Sequence, residues 1–562
     1  MRLLLNLLFC LHLTLHVLGQ SFNLSTYKPV ADGKTDDSPA FRRLFADVAK
    51  AGGGTVTIPV GNYFLKGETP IPVSAHTTVS AYGARFYLPK TLGDKARIVV
   101  FSGIDIQDFS WFGGYFEGYC FDHRNPPNTW EPNVTTRMIV ITTSATGKTD
   151  NLLFRDIQSS KVAGAVITVQ GLHREGSESE VQNFATNVTV ENCTLLNSGK
   201  FMWDYGLLWQ ILVWPEDYSS TDQAMAQKYF RNDLIRSGVS LADGTTQVRF
   251  ANTQQPIPVS KQDSPHHVVC FYGDKLPANI RRGRKYYVVA SAADHIQVSE
   301  TFGGKPLVFS GSAGPETKLI YNLQSAFSAL YAPVGAGSGK GCIDLMACKN
   351  TRITGCKISA LGDAMHIHSS HNNVFANNQI LGARMGAFFL AEYCKNSTIT
   401  GNTVDGTNGS RVVSIERSNE DVTVIGNTFR NGGRGSWINQ PKNLIIQGNI
   451  FINNTTKCEH DPWRGRRSFH TGEWETYSEM YFTTYEPDGR YGPIILRDNI
   501  FVTGPEAKSV IEFYPKGFDI LVEGNFFRGN TSTILVGENT DVTVGQNKGG
   551  TVQKVVQSGP SH

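Results

Sequence analysis

From about residue 340 onward, apolar and polar residues alternate in short runs, and the runs break repeatedly at a Gly-Asn or Asp-Asn pair. The unit reads Thr400-Gly401-Asn402-Thr403-Val404, Ile425-Gly426-Asn427-Thr428-Phe429 and Gln447-Gly448-Asn449-Ile450-Phe451. It returns as Arg497-Asp498-Asn499-Ile500-Phe501 and Glu523-Gly524-Asn525-Phe526-Phe527, with weaker copies at Gly355-Cys356 and Asn377-Asn378. Positions 356, 378, 402, 427 and 449 are separated by 22, 24, 25 and 22 residues. Alternation with period two predicts strands, and a fixed repeat of this length predicts a solenoid. No helical segment lies between the copies, which excludes a leucine-rich repeat. The expected fold is all-β: a right-handed parallel β-helix of three sheets, one coil per repeat. Apolar residues face inward, and the Asn side chains stack at one corner and bond from coil to coil. Earlier coils are visible at Asn151–Ile157 and Val188–Leu195.

Two stretches break the rhythm. From 449 to 499 the step is 50 residues, which predicts one coil plus a loop insertion over 457–490. The stretch 214–332 alternates strand-like runs with Gly/Asp turns and predicts a small inserted β-barrel or sandwich. Residues 21–213 then hold a cap and the first coils, and 333–562 the remaining coils.

Residues 1–20 read as a signal peptide: Arg2, an apolar stretch, then the small Gly19. The stretch is short and interrupted by His12, Thr14 and His16, which argues against a retained membrane anchor, and no later segment is apolar enough to span a bilayer. The expected location is secreted or periplasmic. Next, Ala31-Asp32-Gly33-Lys34-Thr35-Asp36-Asp37-Ser38 precedes a helical stretch with Phe41, Leu44, Phe45 and Val48 on one face, which Asp36 or Asp37 would cap. Gly52-Gly53-Gly54, the strand Thr55–Pro59 and the turn Val60–Tyr63 follow. This pattern resembles the N-terminal cap of the pectate-lyase-like superfamily, in which a short helix closes one end of the β-helix. The resemblance implies the fold and says little about the reaction. The pattern is also similar to that of polygalacturonase-type hydrolases, but their Asn-Thr-Asp and paired Asp-Asp motifs are absent. Gly362-Asp363-Ala364 carries one acid where two are expected. The clustered calcium-binding Asp residues of pectate lyases are not evident either.

Composition narrows the partners. A charged fraction of 18% with 56 Gly and 32 Phe suits an exported all-β protein, and a net charge of +3 is too small to imply nucleic acid. Of nine cysteines, Cys10 leaves with the leader, and Cys348, Cys356 and Cys394 fall in core-like contexts. There is no CxxC pair, so a cysteine zinc site is not expected. Sequons occur at Asn133, Asn187 and Asn396.

Aligning the repeats places Ile343, Ile367, Leu390, Ile415 and Ile438 inward. Their neighbours then form an outward ladder of Asp344, His366/His368, Phe389/Ala391, Ser414/Glu416 and Trp437/Asn439. Ordinary solvent-facing strand positions are Thr, Lys, Ser or Asn, so this row is the expected substrate wall, with both histidines partly exposed. Histidine exchanges protons near neutral pH, and His371 nearby offers metal binding as an alternative. Arg384, Arg411, Arg417, Arg430 and Arg434 lie at the flanking turns. The 457–490 insertion adds His460, Arg464, Arg466, Arg467, His470, Tyr477, Tyr481 and Tyr485. The expected catalytic set is His366, His368, Glu416, Arg434 and Asp344. The expected binding set is Arg384, Arg411, Trp437, Asn439, Arg464, Arg467, His470, Tyr477 and Tyr481.

Aromatic faces interleaved with cations suit an acidic sugar chain. A uronate lyase needs a cation on the carboxylate, a base for the adjacent C–H and an acid for the leaving oxygen, and His, Tyr and Arg supply all three. Dehydratases and epimerases use much the same groups. A hydrolase needs two carboxyl groups about 5 to 9.5 Å apart. Asp344 and Glu416 stand three coils apart, roughly 14 Å, so a hydrolase would recruit Asp363, Glu392, Glu473, Glu475 or Glu512. A glycan-binding tail or adhesin without activity is the third reading. No cofactor or metal ligand set is assigned, and calcium on turn oxygens stays open. The expected partner is a polysaccharide or oligosaccharide, with neither nucleic acid nor, after leader removal, a membrane.

Overall fold

A computed structural model of the chain describes residues 20–67, 69–88, 97–118, 135–177, 179–199, 210–227, 232–250, 256–261, 268–322, 341–360, 362–383, 386–406, 411–456, 476–483, 491–513, 518–537 and 540–555. The 1–20 leader therefore lies almost wholly outside the described residues. Among these, no helix is long and apolar enough to cross a membrane.

The expected solenoid forms. Three parallel sheets of 14, 13 and 13 described strands run the length of a right-handed β-helix. One coil is Lys395–Thr400 in the first sheet, Thr403–Asp405 in the second and Arg411–Ile415 in the third. Register puts like on like. Leu345, Ile367, Leu390, Ile415, Ile438, Phe482 and Phe513 form one inward file; Ile343, expected in it, is also buried but pairs with Met365 in the neighbouring inward file. Phe429, Phe451, Phe501 and Phe527 form another, with successive rings stacked at 5.1, 4.8 and 5.5 Å.

The repeated Asn is buried and makes the predicted ladder. Asn427 is representative: its Oδ1 accepts from the backbone N–H and the Nδ2 of Asn402, both at 2.9 Å. Its own Nδ2 donates to Asn449 Oδ1 at 2.9 Å and to the Ile399 carbonyl at 2.8 Å. The chain of bonds runs from Cys356 through Asn378, Asn402, Asn427, Asn449, Asn499 and Asn525 to Asn547. The residue before each Asn turns left-handed: φ is 64° at Gly401, 65° at Gly426 and 57° at Asp498. Glycine enters that region freely and Asn or Asp tolerates it, which is why the motif reads Gly/Asp-Asn. A second, exposed ladder was not foreseen. Asn187, Asn350, Asn372 and Asn396 all have positive φ and bond side chain to side chain at 3.1, 2.9 and 3.0 Å. Two of the sequon asparagines belong to it.

The cap is also as expected. Helix Ser38–Lys50 buries Phe41, Leu44, Phe45 and Val48, and the Phe41 ring meets Tyr63 and Phe86 at 5.4 and 6.0 Å. Asp36 supplies the capping acceptor, taking the Ser38 N–H at 3.0 Å, whereas Asp37 turns back to the N–H groups of Val30 and Ala31. The described cysteines Cys348, Cys356 and Cys394 are core residues, and burial pushes the Cys348 and Cys394 thiols up to about 12.

The insertions need one correction. Asn449 bonds directly to Asn499, so the 50-residue step is a single coil. Met480–Thr483, inside the expected loop, is that coil's third-sheet strand, paired with Ser436–Asn439 on one side and Ile511–Phe513 on the other. Tyr481 thus belongs to the wall. The larger break holds a seven-stranded antiparallel sheet between Ile235 and Tyr321, with a core of its own that includes Val269, Phe271, Tyr286, Ile296 and Leu319. Both excursions leave the helix at one corner, between a second-sheet and a third-sheet strand: Thr194–Ser198 to Gly341–Met346, and Ile450–Ile452 to Met480–Thr483.

Glu479, fully buried at that corner, accepts the Asn454 N–H on both oxygens at 2.9 and 3.0 Å, and burial raises its carboxyl from 4.5 to about 7. The native group thus holds a proton that the unfolded one has released. Stability from this group is full below about pH 4.5 and is lost as pH rises toward 7. The loss is at most ~3 kcal/mol. Glu479→Gln is expected to flatten the fall in thermal midpoint from roughly pH 5 to pH 8, and an unchanged slope refutes the assignment. Asn427→Ala, which strands its ladder partners, is expected to cost ~2–3 kcal/mol in chemical denaturation. Ile415→Asp places a charge in the inward file and is expected to cost more than ~4 kcal/mol.

Candidate functional site

The outward face of the third sheet carries the chemistry. In register across successive coils stand Asp344, His366, Phe389, Ser414, Trp437, Tyr481 and Glu512. The sequence order of this row was right, but its exposure was not. Asp344 is fully buried, His366 is 4% exposed, and Ser414 and Trp437 are buried as well. His366 stacks on Phe389 with centroids 5.3 Å apart, and its Nδ1 lies 3.9 Å from Asp344 Oδ1. That carboxylate also accepts the Gly341 N–H at 2.8 Å. This row is packed rather than open.

Access lies one file further along, where the strands end. Ala347, Ser369, Tyr393, Ser418 and Gln440 all turn left-handed there, with φ of 49°, 47°, 53°, 57° and 51°. The shared corner groups the residues just before them: Met346, Glu392 and Asn439, which are buried, and His368 and Arg417, which reach solvent. A β-bulge between the strands Asp363–His368 and Gly386–Glu392 sets Glu392, not Ala391, opposite His368. His368, with its side chain 17% exposed, has Nδ1 2.9 Å from Ser369 Oγ and Nε2 3.8 Å from Glu392 Oε2. Arg417 pairs with Glu392 and reaches solvent. The ring of His173, on a two-stranded ribbon, stands edge-on 5.3 Å from His368, and the Tyr393 ring is 6.3 Å away. An imidazole held between a hydroxyl and a carboxylate, beside a phenol and a guanidinium, can accept, donate and neutralise charge within one cluster.

Two coils on is a platform. The Arg411 guanidinium lies 3.9 Å over the Trp437 ring, with Nη1 3.8 Å from Glu416 Oε1. Trp437 stacks on Tyr481 at 6.4 Å and donates Nε1–H to Thr483 Oγ1 at 2.7 Å, and Asn439 Nδ2 donates to the same oxygen at 2.8 Å. Glu392 Oε2, Arg411 Nε and Asn439 Oδ1 are buried atoms with no hydrogen-bond partner within the chain. Such atoms are rare in folded proteins and call for water or ligand partners.

Other expectations fare differently. Arg434 is buried in the bend before the strand Ser436–Asn439, at the end of that strand opposite Asn439 and the His368 file. His371 starts a first-sheet strand, with its ring 4.8 Å from Phe184, so it does not share a face with His366 and His368. Tyr477 is half-buried beside the Ser478–Glu512 hydrogen bond. Arg384, Arg464, Arg467 and His470 lie outside the described residues, as do His460, Arg466, Glu473, Glu475 and Tyr485. Sequence reasoning missed His173 and Tyr393 and gave Glu392 and Arg417 minor parts. The usable signal was the step of 24 from His368 to Glu392, one more than the 23 from His366 to Phe389.

With the geometry in place, the comparisons can be weighed. Residues 321–485 match the family model described as periplasmic copper-binding protein (NosD). No curated protein matches the chain. Solved structures similar to it include the A-module of mannuronan C-5 epimerase AlgE4 from Azotobacter vinelandii, with 8% identity and TM-score 0.45 over 96% of this chain and 100% of that one. The Streptococcus pneumoniae surface protein and adhesin PfbA shows 13% identity and TM-score 0.45 over 95% and 100%. An exopolygalacturonase from Thermotoga maritima shows 10% identity and TM-score 0.41 over 94% and 91%. Likenesses at this level concern architecture, not chemistry. The family description raises copper. Among the described residues no three His, Cys, Asp or Glu side chains converge, and burial drives the Cys348 and Cys394 thiols away from the thiolate form. The described residues do not fit a copper site.

The Arg411–Trp437 contact is testable on its own. Arg411→Ala is expected to uncover the indole and lose ~1–2 kcal/mol. Trp437 fluorescence, isolated by subtracting a Trp437→Phe variant, should then shift red, and an unshifted spectrum refutes the contact.

Proposed function

We propose that this chain is an exported enzyme that acts on a uronic-acid-containing polysaccharide or oligosaccharide, by β-elimination or by the closely related dehydratase or epimerase chemistry. The observation that carries the reading is the file His368–Glu392–Arg417, with Tyr393 and His173 beside it and Arg411 on Trp437 in the following coils. In this reading Arg411 and Arg417 hold the substrate carboxylate. Neutralising that charge acidifies the C–H next to it. His368 takes the proton through Nε2, with Ser369 Oγ on Nδ1 fixing the ring and the nearby Glu392 carboxylate stabilising the imidazolium that forms. Tyr393 protonates the leaving oxygen, and in an epimerase it would return a proton to the opposite face. Asp344 and His366 act as buried support, and Glu416 as the counter-charge that seats Arg411. The apolar leader supports export, and the matched family's description, periplasmic, agrees with it.

The second reading is a glycoside hydrolase. Glu392 and Glu416 stand on adjacent coils, one residue out of register, which is closer to the required carboxyl spacing than Asp344 and Glu416. A binding protein without activity is the third, and the likeness to an adhesin belongs with it.

One experiment separates them. The protein is incubated with polygalacturonate, alginate and glucuronate-containing glycans, while unsaturated-uronate absorbance, reducing ends and deuterium uptake from heavy water are followed. Absorbance marks a lyase or dehydratase, deuterium uptake alone an epimerase, reducing ends alone a hydrolase, and binding alone an adhesin. His368→Ala is expected to lower turnover by ~10²-fold or more with the fold intact. Full turnover in that variant would falsify the assignment.

A further inference from the structure

Away from the wall, the inserted region holds a cleft of about 430 Å³, within the range of small-molecule sites. One side is the 3-10 turn Pro215–Asp217 with the helix Ser220–Gln227, and the other is the edge of the seven-stranded sheet near Tyr272 and Lys318. Two contacts fix the sides. Arg282 donates from Nη1 and Nη2 to the Glu216 carboxylate at 2.8 and 3.2 Å. Trp214 packs so closely on Gly283 that an added Cβ would stand 2.1 Å from the indole. Gln223 spends its Nε2 on the carbonyls of Pro215 and Tyr218, at 2.8 and 3.1 Å.

The lining decides the ligand class. Arg282 and Lys318 face Asp274 and Glu316, two charges of each sign. An anion would meet the carboxylates, a cation would meet Lys318, and an apolar ligand would desolvate Lys318 and the exposed Asp274 and Glu316, while Arg282 is already held by Glu216. Arg282 Nε is buried and lacks an acceptor, and the half-buried Tyr272 adds an aromatic ring to the lining, with Lys318 Nζ 6.0 Å from its centroid. A ligand rich in hydroxyls and free of charge suits the rest of the lining: acceptors for Lys318, donors for Asp274 and Glu316, and a ring packed on Tyr272. We propose that this cleft binds a neutral sugar unit of a glycan, as a second carbohydrate site separate from the coil wall.

The test is a glycan array of neutral and uronate-containing oligosaccharides probed with the full chain, followed by calorimetry with the neutral trisaccharide that binds best. The expected result is binding of a neutral glycan that weakens tenfold or more in Tyr272→Ala and Glu316→Gln and is unchanged in His368→Ala. Asp274→Asn is the milder variant should the others unfold, and a threefold or greater loss is expected. If no neutral glycan binds, if the cleft variants bind as well as the parent, or if uronates compete at the cleft more strongly than neutral sugars, the proposal is overturned. The proposal stands or falls independently of the wall's activity.

Discussion

The vertical hydrogen bond from one buried Asn amide to the next is the constraint on which the rest depends. Each coil is nearly identical in profile, so apolar stacking alone would tolerate a slip along the strand direction. A slip of one residue would turn every inward side chain outward. The Asn ladder forbids it, because each amide must meet both a side-chain oxygen and a carbonyl of neighbouring coils. With register fixed, residues far apart in sequence, such as Asp344 and Glu512, come to share one file.

Against that regular background, a single extra residue shapes the candidate site. The bulge before Glu392 moves a buried carboxylate into the file that His368 occupies, where His368 and Arg417 reach solvent. The neighbouring row keeps Asp344, His366 and Phe389 under cover. Burial makes that row a packed backing for the His368 file, and the buried atoms left without hydrogen-bond partners, Glu392 Oε2, Arg411 Nε and Asn439 Oδ1, stand beside it.

The solenoid, the cap, the inward file and the Asn ladder were legible in the sequence because each follows from local periodicity, which stacking then repeats. The order of the outward row was legible for the same reason. Its burial was not, since periodicity says which face of a sheet a residue occupies and nothing about what lies over that face. The partnership of His368 with Glu392 and Arg417 was missed because one inserted residue breaks the simple alignment. His173 was missed because it sits on a ribbon outside the repeat, and Arg434 was misplaced because being near the row in sequence says nothing about which edge of the sheet it occupies.

The corner used by the two large insertions lies apart from the His368 file. Those insertions leave and re-enter where third-sheet strands begin, whereas the file, with the short ribbon that carries His173, lies where they end. The spacing at the His368 margin is set by coil-to-coil register, whereas the chain in the two large insertions is not bound by that register, so a change in an insertion's length leaves the coil spacing at the opposite margin as it is.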